Sequence, residues 1–241
     1  MPKNTIPRRG FLAGAGAAGA GVAALTAAVS ATPAMAAAAQ PDGGGVQSGA
    51  PDTWLVLTAE EAAFYSAMAD TMIPADALSP SGTECCVPVF IDRQLASAWG
   101  AGARMYRAGP FHQGLPEQGY QSPLTPRDFF SAGVEAANAW SRKTYGKTFD
   151  RLNAEQRAEA LTAMENGKAV FEDFDAKAFF QRLLAITMEG FFSDPIYGGN
   201  RGKASWRMLG FPGLPATYAG KIEQYRDKRY VAEPQSIADF S

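Results

Sequence analysis

Few side chains in this chain could bind a metal ion or act as a nucleophile. Its only cysteines, Cys85 and Cys86, are adjacent, and His112 is its only histidine. Adjacent thiolates cannot easily face one zinc ion, and the chain lacks a C-x-x-C-H haem motif, the ligands of an iron–sulfur cluster and the Glu-x-x-His pairs of a di-iron bundle. A Ser-His-Asp triad would depend on His112, which lies in a Gly/Pro-rich loop and is interpreted as a structural residue. The sequence therefore predicts no catalytic residue and no cofactor or metal site on this chain.

Carboxylates leave open an alternative, a self-contained enzyme that uses acid–base chemistry. The candidates for its acid and base are Asp70, Asp92, Glu189 and Asp194. Asp70 and Asp92 are more typical of helix caps or surface ion pairs. Asp194 stands before Pro195, which is typical of a turn.

The elements that position these residues are predicted to be α-helices. Helix starts are indicated by the capping boxes Thr58–Glu61 and Asn153–Gln156, by the first-turn Pro88 and by Thr125-Pro126. The corresponding ends are predicted at Pro74, Gly100, Gly146 and Asn166-Gly167. A fifth helix, from Phe179 to Phe192, is apolar on more than one face and should be central. No segment alternates with a period of two, so the predicted fold class is all-α, a single irregular helical domain with aromatic-rich C-terminal loops.

Large aromatic residues continue beyond the fifth helix in a stretch rich in glycine and proline. They either fold back over the helices or face a partner, because Tyr, Trp and Arg are the residue types that anchor protein interfaces. A further alternative is a sugar-binding module that uses Tyr197, Asn200 and Trp206. The predicted partner interface consists of Phe191, Phe192, Asp194, Tyr197, Asn200 and Trp206.

The first 36 residues are typical of a twin-arginine export signal. Arg8 and Arg9 are followed by Phe11 and Leu12, and then by an uncharged Ala/Gly-rich run that is low in Leu, Ile and Val. An A-x-A cleavage pattern ends at Ala36, so we expect cleavage there and a periplasmic location, with a retained membrane anchor as the alternative. A G-x-G-x-x-G pattern lies inside this signal without a preceding strand and does not indicate a nucleotide site.

The remaining chain is long enough for one domain with a hydrophobic core. Residues 37–53 are rich in Ala, Gly, Pro and Gln and are predicted to be a flexible linker. Residues 54–215 are predicted to form the helical domain, and residues 216–241 a C-terminal extension. Without residues 1–36 the chain has 19 basic and 24 acidic residues, a net charge of −5, which does not favour nucleic acid as a partner.

Five segments together resemble the gluconate 2-dehydrogenase subunit 3 family. The most specific are Met188 to Asn200, which contains Asp-Pro-x-Tyr-Gly-Gly-Asn, and Trp206 to Gly213, which contains Phe-Pro-Gly. Leu57 to Glu61, Ala69 to Pro74 and Val87 to Asp92 also fit the family pattern. The resemblance covers roughly residues 54 to 215.

The resemblance implies the small, cofactor-free subunit of a periplasmic dehydrogenase for gluconate or a related sugar acid or polyol. In that family the large subunit carries FAD and the active site, and a multihaem cytochrome c subunit passes electrons onward. The twin-arginine machinery carries folded proteins, so the signal on this chain is expected to export the flavin subunit as a folded passenger. The chain would also help that subunit mature and stay assembled, and the complex would associate with the membrane.

The cysteine pair gains a second interpretation in an oxidising periplasm. Cys85 and Cys86 could form a strained vicinal disulfide, remain buried thiols, or leave one sulfur to bridge to the large subunit. A strained eight-membered ring is the rarest of these arrangements, so buried thiols or mixed pairing are favoured. The family pattern does not require cysteine at these positions.

Overall fold

The computed structural model describes residues 53–112, 114–115, 122–215 and 217–240. Within these residues the regular structure is helical, which confirms the predicted all-α class. The α-helices are α1 (Ala59–Met72), α2 (Val87–Ala96), α3 (Pro126–Tyr145), α4 (Ala154–Glu165), α5 (Ala176–Phe192) and α6 (Ala204–Leu209). Short 3₁₀ segments occur at Phe149–Arg151, Pro195–Tyr197, Arg201–Lys203, Ala219–Lys221 and Ile237–Phe240. The twin-arginine signal and the linker up to residue 52 lie outside the described residues.

Capping residues fix the starts of α1, α3 and α4 where the sequence predicts them. Thr58, Thr125 and Asn153 each accept the backbone N–H three residues later, and the side chain at that third position reaches back to the cap. Both halves of the capping box are therefore present in all three helices, and orphan N–H groups of the first turn are satisfied.

The core is centred on α5, as its hydrophobicity predicts. The Phe179 ring is fully buried and lies within 6.5 Å, between ring centroids, of five other phenylalanine rings. They are contributed by α1, α3 and the loop that precedes α5, namely Phe64, Phe129, Phe130, Phe171 and Phe174. The α3 backbone approaches Phe179 closely because Gly133 has no side chain: a Cβ there would lie 2.2 Å from the ring. Aromatic packing thus joins α1, α3 and the preceding loop to α5.

The second helix ends earlier than the sequence predicts. Its apolar spacing predicted continuation to Gly100, but α2 ends at Ala96, and Ser97 is extended with its hydroxyl donating to the Gln94 carbonyl at 2.7 Å. The Leu95 carbonyl, which a longer helix would use internally, accepts both Nε and Nη2 of Arg127 from α3 at 2.9 and 2.7 Å. A long-range side chain therefore replaces the last turn of the predicted helix.

The segment after α5 is more ordered than the predicted loops. It contains α6, a six-residue helix that begins after Lys203 in a left-handed conformation and has no side-chain N-cap. The extension returns to this segment at a bridge between Gly213 and Gln235, where Leu214 donates to Gln235 at 2.8 Å and Gln235 donates to Pro212 at 3.0 Å. Residues near the C-terminus therefore pack beside the family block rather than beside the helices of the core.

Candidate functional site

The family block, residues 188–213, is folded compactly at the C-terminal end of α5. Asp194 starts the 3₁₀ turn Pro195–Tyr197 by accepting the Ile196 N–H with Oδ1 at 3.0 Å. Its second oxygen, Oδ2, accepts the Ile237 N–H at 2.9 Å. One carboxylate thus holds the turn and the C-terminal extension together, a positioning role that sequence spacing alone could not reveal.

Asn200 is the polar centre of the family block. It is fully buried and has a φ of +46°, a left-handed conformation that asparagine tolerates better than most residues. Its Nδ2 donates to the Ser193 carbonyl at 2.9 Å, and its Oδ1 accepts from the Ser205 N–H at 3.0 Å and the Ser205 hydroxyl at 2.8 Å. Asn200 therefore links the end of α5 to the start of α6, and both its amide nitrogen and its amide oxygen bind groups of the same chain.

Two of the five aromatic residues of the block, Phe191 and Trp206, are buried. Trp206 is 6% exposed, its Nε1 donates to the Phe192 carbonyl at 2.9 Å, and its ring meets Phe211 edge-on with 5.2 Å between centroids. Phe191 is buried and packs against the half-buried Phe192. The hydrogen bond from Trp206 to Phe192 ties α6 back to α5.

The predicted interface residues therefore fall into three groups by exposure. Phe191, Asn200 and Trp206 are buried within this chain, whereas Tyr197 is 51% exposed. Phe192 and Asp194 are half-buried. With Asn200 and Trp206 inside, the sugar-binding alternative retains only Tyr197 at the surface. Residue type singled out this region, but it could not distinguish the residues buried inside the family block from those exposed at its surface.

The cysteine pair lies against the same family block. Cys86 precedes α2 in a left-handed conformation, and the Arg201 N–H donates to the Cys85 carbonyl at 3.2 Å. Both thiols are free and are at most 5% exposed. A bridge to another subunit would require one sulfur to become accessible, and a disulfide of Cys85 or Cys86 stays one of the predicted alternatives.

Burial favours the protonated form of both thiols. It raises the pKa of Cys85 to about 11, with neighbouring ionisable groups adding to the effect. Burial also raises the pKa of Cys86, although the charge and hydrogen bond of Arg201 and the charge of Arg93 oppose that rise. Because the thiolate is the reactive form, neither cysteine is activated as a nucleophile.

Three of the four candidate carboxylates, Asp70, Asp92 and Asp194, bind backbone groups of the chain. Asp70 accepts the N–H and the hydroxyl of Thr83 at 2.8 and 2.7 Å, which fixes the loop between α1 and α2. Asp92 is 2% exposed and accepts three consecutive backbone N–H groups, those of residues 55–57, at 2.8 to 3.1 Å. Glu189 stands at the surface of α5, where desolvation raises its pKa. His112 is exposed in its loop.

Two structural features bear on metals and membranes. Among the residues that the structure describes, no three His, Cys, Asp or Glu side chains converge in a way that could hold a metal ion. In the same part of the chain no helix combines the length and the apolarity needed to cross a membrane.

A family model described as gluconate 2-dehydrogenase subunit 3 matches residues 59–213. This chain belongs to that family. The match begins at the first residue of α1 and ends at Gly213, so it includes the family block and the cysteine pair but stops before the C-terminal extension. Neither curated proteins nor solved structures gave a match. Membership makes the chain an accessory subunit associated with an oxidoreductase, and the family name implies a complex with other dehydrogenase subunits.

Proposed function

We propose that this chain is the non-catalytic small subunit of a periplasmic FAD-dependent dehydrogenase for gluconate or a related sugar acid or polyol. The observation that carries the proposal is the family match over residues 59–213. The large subunit bears FAD and the active site, and a multihaem cytochrome c subunit receives the electrons. The complex is associated with the periplasmic face of the membrane.

The arrangement of polar groups supports a structural role for this subunit. Asp92, Asp194 and Asn200 direct their hydrogen bonds to backbone groups or neighbouring side chains of the same chain. Both cysteines are buried with raised pKa values. Side chains that bind within their own chain fix its fold and therefore the shape of its surface, which suits a subunit that stabilises its partner.

The N-terminal signal supports a second role, export of the flavin subunit. The twin-arginine route accepts folded proteins, and FAD must be inserted before a flavoprotein can fold fully. The signal that contains Arg8 and Arg9 then serves both chains, because a flavin subunit bound to this chain is carried through with it. Assembly therefore precedes export.

Changing the signal tests this order of events. Arg8→Lys with Arg9→Lys preserves charge but removes the arginine pair, and Lys3→Arg is the matched control. We expect the double variant to leave FAD-dependent dehydrogenase activity in the cytoplasm, whereas the wild-type chain and the control place it in the periplasm. Equal periplasmic activity with the double variant would contradict the export role. A wild-type chain that copurifies with no flavoprotein would contradict the subunit role itself.

A further inference from the structure

Exposed apolar side chains are concentrated at the C-terminal end of the chain. Among the described residues, eight of the fifteen exposed large hydrophobic side chains lie between residues 196 and 240. The most exposed are Leu209 at 55%, Ile222 at 63%, Phe240 at 69% and Val231 at 76%. Several large apolar side chains left exposed along one segment make that segment a candidate for binding a partner.

The same segment differs from the rest of the chain in charge. Residues 201–240 contain seven basic and four acidic residues, a net charge of +3. Residues 54–200 contain twelve basic and eighteen acidic residues, a net charge of −6. The acidic balance of the whole chain therefore conceals a basic C-terminal segment, and we call the exposed part of residues 196–240 the C-terminal surface.

Specific contacts hold this surface in place on the family block. The Lys203 ammonium donates to the Pro234 carbonyl at 2.9 Å and pairs with Asp239. Together with the hydrogen bond from Ile237 to Asp194 and the bridge at Gln235, these contacts attach the end of the chain to the family block. The apolar residues of the extension are therefore presented from a defined position.

A tyrosine cluster shapes the loop within the extension. Tyr230 packs against Tyr218 and Tyr225, with ring centroids 5.8 and 4.9 Å away, and the Tyr218 hydroxyl donates to the Gly213 carbonyl at 2.6 Å. The tyrosines are partly covered, whereas Ile222 and the basic residues 226, 228 and 229 are exposed. The loop thus presents aliphatic and cationic groups outward on an aromatic base.

We infer that the C-terminal surface docks the flavin-bearing large subunit, on a face that is apolar and rimmed by acidic residues. This inference rests on the proposed function and extends the interface beyond the segment that the family model matches. A basic surface on an otherwise acidic subunit orients it towards an acidic face. Glu223, Asp227 and Glu233 are exposed among the basic residues, and a protein face can place basic groups opposite them whereas an anionic bilayer cannot, so a protein partner fits better.

Charged substitutions at the most exposed positions test the surface. The test variant is the full chain with Val231→Asp and Phe240→Asp, produced with a tag in its own host. The control carries Leu78→Asp and Val170→Asp, at positions 73% and 80% exposed but far from the C-terminal segment in sequence. The readout is FAD and dehydrogenase activity retained per tagged chain, with circular dichroism and thermal melting to verify folding. We expect about a tenfold or greater loss for the test variant and wild-type retention for the control.

The outcomes separate the inference from the proposed function. If the wild-type chain retains no FAD, the proposed function fails and the inference fails with it. If the wild-type chain and both variants retain FAD equally, the proposed function stands and the inference is overturned. A variant that keeps its FAD but loses binding to phosphatidylglycerol vesicles would also overturn it and would assign the surface to lipid.

Charge reversal gives an independent readout on a different property. Lys228→Glu with Arg229→Glu should slow reassociation with the separated flavin subunit at low salt by about tenfold, and the difference should shrink as salt is added. Lys168→Glu with Lys177→Glu changes the same charge elsewhere and should leave the rate near that of the wild type. Equal rates for the two double variants would contradict a role for the basic C-terminal surface.

Discussion

Asp92 provides a sensitive test of how the folded domain begins. Its buried carboxylate accepts the N–H groups of Leu55, Val56 and Leu57 at 2.8, 3.0 and 3.1 Å, and so attaches the segment before α1 to α2. Asp92→Ala would leave the buried Leu57 amide without its partner and remove two further charge-assisted bonds. A stranded buried donor costs about 1–3 kcal/mol, and water can replace the bond at the exposed Leu55, so the expected loss in unfolding free energy is about 3 kcal/mol.

The conservative variant separates the charge from the shape. Asp92→Asn keeps an oxygen that can accept from Val56 and Leu57 but turns an NH₂ group towards the Leu55 amide, so the expected loss is about 1.5 kcal/mol. For a domain of this size a loss of about 3 kcal/mol lowers Tm by about 6–12 °C. Urea unfolding and thermal melting measure both quantities. Glu135→Ala removes an exposed carboxylate from α3 and should stay within about 0.5 kcal/mol of the wild type. If Asp92→Ala matches that control, Asp92 does not hold the segment and the reasoning is wrong.

Three further predictions concern packing, the buried amide and the thiol. Gly133→Ala places a Cβ 2.2 Å from an aromatic ring and should destabilise the fold by about 2 kcal/mol in urea, whereas Gly220→Ala meets no atom within 4 Å and should be near neutral. Asn200→Ala should lower the unfolding free energy by about 3 kcal/mol. The loss for Asn200→Gly should be smaller than that by about 1 kcal/mol, because glycine tolerates the positive φ. Equal losses for the two variants would show that the backbone conformation is unimportant. Burial raises the pKa of Cys85 from 9.0 to about 11, so its contribution to stability is complete below pH 9.0 and declines as pH rises towards about 11. Cys85→Ala should flatten that decline in melting curves recorded across this pH range, and an unchanged decline would assign it to other groups.

Local signals in the sequence predicted most of the helices. Capping residues such as Thr58 and Asn153 act within one turn, so their effect is visible in a short stretch of sequence. The end of α2 was placed too late because Arg127, thirty-two residues away, takes the Leu95 carbonyl. The start of α6 was missed because Lys203 provides no side-chain cap. Boundaries that depend on tertiary contacts are not encoded in local spacing.

The candidate site was located by sequence, but its internal arrangement was not. The family block indicated the region, yet residue type could not show that Trp206 packs inward while Tyr197 reaches solvent. Nor could spacing show that Cys85 lies against Arg201, because that contact joins segments more than a hundred residues apart. The net charge of the whole chain likewise concealed the basic C-terminal surface. Each of these features is set by the three-dimensional packing of distant segments.

The central claim is that this chain is an accessory subunit of a flavin-dependent dehydrogenase. The most direct measurement is a tagged purification of the chain from the periplasm, followed by an absorption spectrum and a dye-linked dehydrogenase assay with gluconate and a polyol panel. The account predicts a yellow or haem-red complex with FAD in stoichiometric proportion and activity on one of these substrates. A colourless, inactive single chain would contradict it.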